Sequence, residues 1–125
     1  MKILVTGPPN SGKHTIVETL DYECIIADRQ DVEKMILKHD GFDAAIIVVD
    51  ANHLCEGIFS FMALVETLGV SPIVAVLNKM DLIDNCNTQY VAMCQVLGDC
   101  VPMGREEITW YNGCTLIEYI EREVA

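Results

Sequence analysis

Ala44-Ala45-Ile46-Ile47-Val48-Val49 is apolar without a break and stops at Asp50. A strand with one wet face alternates apolar and polar side chains. An unbroken run marks a strand covered on both faces, which is the habit of parallel sheets clad with helices. Residues 72–77 make a second such run, ending in Asn78, and shorter apolar runs stand at 2–6, 24–27 and 99–102. Helical spacing fills the intervals. Residues 12–20 carry Ile16, Val17 and Leu20. Residues 28–39 carry Val32, Met35 and Ile36, with Asp28 as N-cap and Gly41 closing the segment. Residues 54–68 stop at Gly69, and residues 87–97 and 114–124 follow, the last with Leu116, Ile117 and Ile120 inward. Strands alternating with helices at this spacing predict an α/β, three-layer, doubly wound sheet of about five mostly parallel strands. At 125 residues the chain makes one domain, 1–125.

Ligands of such sheets collect beyond the C-terminal ends of the strands. The first of these ends leads into Gly7-Pro8-Pro9-Asn10-Ser11-Gly12-Lys13-His14, which feeds the first helix. A strand, a glycine-rich turn, a lysine and a helix start form the context of a P-loop, whose backbone N–H groups converge on phosphate. The helix N-terminus adds amides and dipole, and Lys13 adds a mobile positive charge. Pro8 and Pro9 lack N–H groups but precede the amides that cradle. Candidate phosphate contacts are Asn10, Ser11, Gly12, Lys13, His14 and Thr15. His14 stands where Ser or Thr would offer a hydroxyl to Mg²⁺, and Thr15 comes one position late. The bland alternative is a Gly/Pro turn that happens to contain a lysine.

A second turn, Asn78-Lys79-Met80-Asp81, follows the second long apolar run and is expected on the same rim. A carboxylate at Asp81 can accept two bonds from adjacent N–H donors. Guanine offers that pair and adenine does not. Asn78 can touch the base or tie the two loops together, and the Lys79 stem can lie along the purine face. The alternative is a polar strand-to-helix turn capped by Asp81. Taken together, the two motifs resemble the GTP-binding domain of the P-loop GTPase family. More narrowly, residues 43–52, 68–70 and 72–82, with 110–118 leading into the last helix, are similar to translational GTPases of the elongation factor Tu and 1-alpha type. The resemblance implies a single minimal G domain that binds GTP or GDP, with Met103 and Gly104 in its base-contacting loop. It implies a translation-machinery or regulatory protein partner.

The departures from that family carry expectations of their own. The first switch, which carries a Thr for Mg²⁺ and the γ-phosphate, is reduced to Asp21-Tyr22-Glu23. The second switch falls on residues 24–27, with Asp28 at the position of the catalytic His, so the metal-side Asp, the γ-phosphate-sensing Gly and the water-orienting His are all missing. The Ser of the base-contacting loop is replaced or deleted. No catalytic residue is assigned, and no metal ligand. Mg²⁺ has weak support, since Asp50 and Asp28 could hold it through water or could equally be a strand-end cap and a helix N-cap. The expected behaviour is nucleotide binding with slow or absent hydrolysis and similar affinity for GDP and GTP. The competing readings are an inactive scaffold or regulator and, further off, a small kinase, which lacks an Arg-rich lid.

Charge narrows the partners. Eight basic against nineteen acidic residues give −11, which opposes direct nucleic-acid binding. The six cysteines form no C-x-x-C pair and read as reduced, small apolar side chains rather than a zinc site. No apolar run reaches membrane-spanning length and no leader precedes the first strand, so the cytoplasm is expected. The strand at 24–27 is expected at an open sheet edge, which leaves a homodimer open.

Overall fold

In the computed structural model of the chain, residues 1–50, 58–79, 100–102 and 116–124 are described. Their elements are β1 (Lys2–Thr6), α1 (Lys13–Glu18), β2 (Glu23–Ile26), a 3₁₀ turn (Arg29–Asp31), α2 (Val32–Lys38), β3 (Ala44–Asp50), α3 (Ile58–Thr67), β4 (Ile73–Asn78), β5 (Cys100–Pro102) and α4 (Leu116–Val124). The expected helix at 87–97 and the starts of the helices expected at 54–68 and 114–124 lie outside the described residues.

The five strands pair in the order β2-β1-β3-β4-β5, and every pairing is parallel. From β1 the chain winds one way to make β2, then crosses back to β3 and continues outward. The winding direction reverses between β1 and β3, and the crevice of a doubly wound sheet opens at that point. β2 forms one edge of the sheet.

The unbroken apolar runs are buried on both faces, and successive residues divide between two cores. Ile3 and Val5 of β1, Ile46 and Val48 of β3, and Val74 and Val76 of β4 face one core, against Ile16 of α1 and Leu116, Tyr119 and Ile120 of α4. Leu4, Ala45, Ile47 and Val49 face the other, against Val32 of α2 and Phe61 and Val65 of α3. Ile46, Ile47 and Val48 are all fully buried, and each contributes on the order of 1.5–3 kcal/mol relative to an exposed side chain. These are the three layers expected from the sequence.

Helix ends differ from the expected ones for local reasons. α1 stops at Glu18 because Thr19 turns its hydroxyl back onto Ile16 O at 2.7 Å. The last amides then tighten into i→i+3 bonds, Thr19 N to Ile16 O and Leu20 N to Val17 O. The segment after Asp28 opens as a 3₁₀ turn rather than as α-helix, with Asp31 N–H donating to Asp28 O at 2.9 Å. Asp28 occupies the N-cap position, but its carboxylate makes no capping bond.

Candidate functional site

The loop after β1 is shaped by what it must pass. Gly7 crosses over the Val48 carbonyl of β3 so closely that a Cβ there would overlap that oxygen. The chain then turns through Asn10 at φ 62° and Gly12 at φ 96°, left-handed conformations that Asn tolerates and Gly adopts freely. The helical ladder starts with Ile16 N–H donating to Gly12 O at 3.1 Å. The amides of Lys13, His14 and Thr15 therefore lie ahead of the first helical bond, where an α-helix leaves its N–H groups unmatched.

Lys13 is buried, 7% exposed. Its ammonium curls back and donates to Gly7 O at 3.1 Å and Pro8 O at 3.0 Å. Across the lip, Asp28 Oδ1 lies 3.9 Å from Lys13 Nζ. A cavity of about 540 Å³ opens here. Pro9, Asn10, Gly12, Lys13, His14 and Thr15 line one side, and Ile26, Ala27, Asp28 and Asp31 the other. Five of the six phosphate candidates thus share one cavity. Ser11 is not among its lining residues; it is buried beneath the loop at 1% exposure, its hydroxyl without a protein partner, like that of Thr6.

The loop after β4 meets this one. Asn78, 5% exposed, donates from Nδ2 to Ser11 O at 2.9 Å. A Cβ on Gly12 would overlap the same Nδ2, so the missing side chain at Gly12 makes room for the Asn78 amide. Lys79, at φ 61°, donates from Nζ to Asn10 O at 2.7 Å and pairs with Asp50 Oδ2 at 3.4 Å. Of the two roles open to Asn78 in the sequence, the geometry has it tying the loops together. Asp81, Met103 and Gly104 lie outside the described residues.

Metal donors fit poorly. Asp50 is paired with Lys79 and Asp28 faces Lys13. His14, which offers an imidazole where a hydroxyl is usual, is the wrong donor for a hard oxygen-seeking ion. Among the described residues no group of three or more His, Cys, Asp or Glu side chains is arranged to hold a metal.

Asp31 and Pro9 line the cavity without having been singled out from sequence. Asp31 follows Asp28 by three residues, one turn of a 3₁₀ helix, and that spacing is the signal that brings both carboxylates to one wall.

A parallel sheet with a glycine-lysine phosphate loop after β1 and an Asn-Lys turn bonded to it from β4 defines a P-loop GTPase-like domain. No family model matches the chain. The chain is similar to elongation factor 1-alpha of Methanocaldococcus jannaschii, 30% identical over 141 positions, covering 87% of this chain and 33% of that protein. Elongation factor 1-alpha of Methanopyrus kandleri is also 30% identical, over 86% of this chain and 32% of its own length. The chain thus spans about a third of the length of these relatives. The 141 aligned positions outnumber the 125 residues present, so the relatives carry residues in this region that the chain lacks. Only residues 19–22 separate α1 from β2.

Solved structures agree on the fold. Apo translation elongation factor SelB from Methanococcus maripaludis superposes with a TM-score of 0.66 at 18% identity, over 83% of this chain and 29% of its own. A probable GTP-binding protein, engB, gives a TM-score of 0.64 at 15% identity, over 83% of this chain and 88% of its own. Among the described residues no helix is long and apolar enough to cross a membrane.

Proposed function

We propose that the chain binds guanine nucleotide, with the phosphates in the loop of residues 7–15 and the base at the turn that begins with Asn78. The observation that carries this reading is the double tie between the turns, Asn78 Nδ2 to Ser11 O and Lys79 Nζ to Asn10 O. These bonds join segments 67 and 69 residues apart in the chain on the rim where a nucleotide would lie. Asn10, Gly12, Lys13, His14 and Thr15 then face the phosphates. Ser11 acts through its carbonyl, which anchors Asn78. Lys79 borders the base, Asp81 reads it, and Met103 and Gly104 complete the base loop.

Turnover is slow or absent in this reading. Phosphoryl transfer needs a metal and an oriented water, and the positions at which the resemblance would place the metal-side Asp, the γ-phosphate-sensing Gly and the water-orienting His carry other residues here. The setting is that of a translation elongation factor of the 1-alpha type, in the cytoplasm, alongside translation machinery or a regulatory protein. A second reading, a guanine-nucleotide-dependent scaffold that has given up catalysis, is supported by the four-residue link at 19–22. That link is too short to fold over a γ-phosphate from between α1 and β2. Direct nucleic-acid binding is opposed by the net charge of −11.

Titration of the purified chain with labelled GDP, GTP and ADP, with and without Mg²⁺, followed by a phosphate-release assay, tests both readings. The expected result is binding of GDP and GTP but not ADP, little dependence on Mg²⁺ and negligible phosphate release. Equal binding of ADP would sink the guanine reading. Rapid release would sink the scaffold reading.

A further inference from the structure

We propose that Asp28 determines which phosphate chain the cavity accepts, biasing it toward a nucleoside diphosphate over a triphosphate. The inference rests on the nucleotide reading above. It starts from the ammonium of Lys13, which has three N–H donors. Gly7 O and Pro8 O take two of them, and Asp28 Oδ1 stands 3.9 Å away on the cavity side. Asp28 therefore supplies the negative charge that a terminal phosphate would otherwise bring to Lys13.

That carboxylate is not tied down as a helix cap. It heads the 3₁₀ turn yet caps no amide, and its side chain is 59% exposed. Asp31 adds a second carboxylate to the same wall. A diphosphate can lie in the amide cradle and approach Lys13 from the loop side. A triphosphate carries a further negative charge toward that wall, where the Asp28 and Asp31 carboxylates repel it when no divalent cation is present. Two like charges about 4 Å apart in water repel by about 1 kcal/mol, which converts to a roughly fivefold change in affinity.

The test compares wild type with Asp28→Asn, which keeps the shape and removes the charge. Affinities for GDP and for a non-hydrolysable GTP analogue are measured without divalent cation, at low and high salt. The expected result is a shift of about fivefold in the affinity ratio toward the triphosphate in the variant. High salt should shrink the difference between the wild-type and variant ratios, since screening weakens the repulsion that only the wild type has from Asp28. An unchanged ratio, or one that moves toward GDP, overturns the role of Asp28 while GDP binding by both proteins keeps the nucleotide reading intact. Absence of guanine-nucleotide binding by both proteins refutes that reading and the inference with it. Matching urea midpoints of the two apo proteins check that the fold is undisturbed.

Discussion

Gly12 and Asn78 compete for one small volume, and the competition can be measured as a coupling free energy. In Gly12→Ala the new Cβ falls on Asn78 Nδ2 at a residue whose φ is 96°. The left-handed conformation costs an L-residue about 1–2 kcal/mol. Displacing the Asn78 amide also breaks its bond to Ser11 O and strands a donor that is only 5% exposed, a further ~1–3 kcal/mol. Asn78→Ala alone removes the same bond and leaves Ser11 O without that donor, again ~1–3 kcal/mol. In the double variant the Cβ has nothing to strike and the bond can be lost only once. The double variant should therefore be more stable than the sum of the singles predicts, by about 1–2 kcal/mol. Urea unfolding followed by far-UV circular dichroism for the four proteins yields the value directly. Additivity within about 0.5 kcal/mol would show that the two residues act independently and that the tie contributes little.

Three further outcomes follow from the site and its surroundings. Lys13→Met should weaken guanine-nucleotide binding by about 10- to 100-fold, the worth of one or two charge-assisted hydrogen bonds of ~1.5–3 kcal/mol, as read by isothermal titration calorimetry. Lys79→Ala removes the bond to Asn10 O and the pair with Asp50; because the pair is partly solvated, stability should fall by less than about 1 kcal/mol while nucleotide affinity drops measurably. Cys24 is half-buried, and burial pushes its thiol above the ordinary pKa, so alkylation should be slow and should accelerate only at a pH above the usual thiol range. Folding favours the protonated thiol, so its contribution is intact below the ordinary thiol pKa and is lost as pH rises through the raised value. A fast reaction of Cys24 at neutral pH, located by peptide mapping, would contradict its placement.

The layers of this fold were legible because the short unbroken runs of β3 and β4 suit a doubly covered strand, and the spacing of Ile16, Val17 and Leu20 or of Leu116, Ile117 and Ile120 suits a helix laid on it. The phosphate loop and the tying role open to Asn78 were legible for a related reason. Each occupies the end of a strand, and strand ends of a parallel sheet share a rim. What could not be read were the partners of the charged groups. Whether Asp28 meets Lys13, or Asp50 meets Lys79, depends on β2 lying beside β1 and β3 lying beside β4. Hydrophobic periodicity is blind to lateral order. Helix ends escaped for a smaller reason, since a single hydroxyl such as that of Thr19 bonding to Ile16 O decides them within one turn.

The clasp between the two turns also bears on how the molecule can communicate. With Asn78 and Lys79 already fastened to the backbone of the loop after β1, these two turns hold their relative position before any ligand arrives. Such pre-organisation favours tight, quick capture. It also limits, in these two turns, the difference in shape between empty and filled forms that a downstream protein could read. A domain built this way is suited to reporting that nucleotide is present, through the charge and surface of the ligand itself, rather than to timing an event by a change of its own conformation.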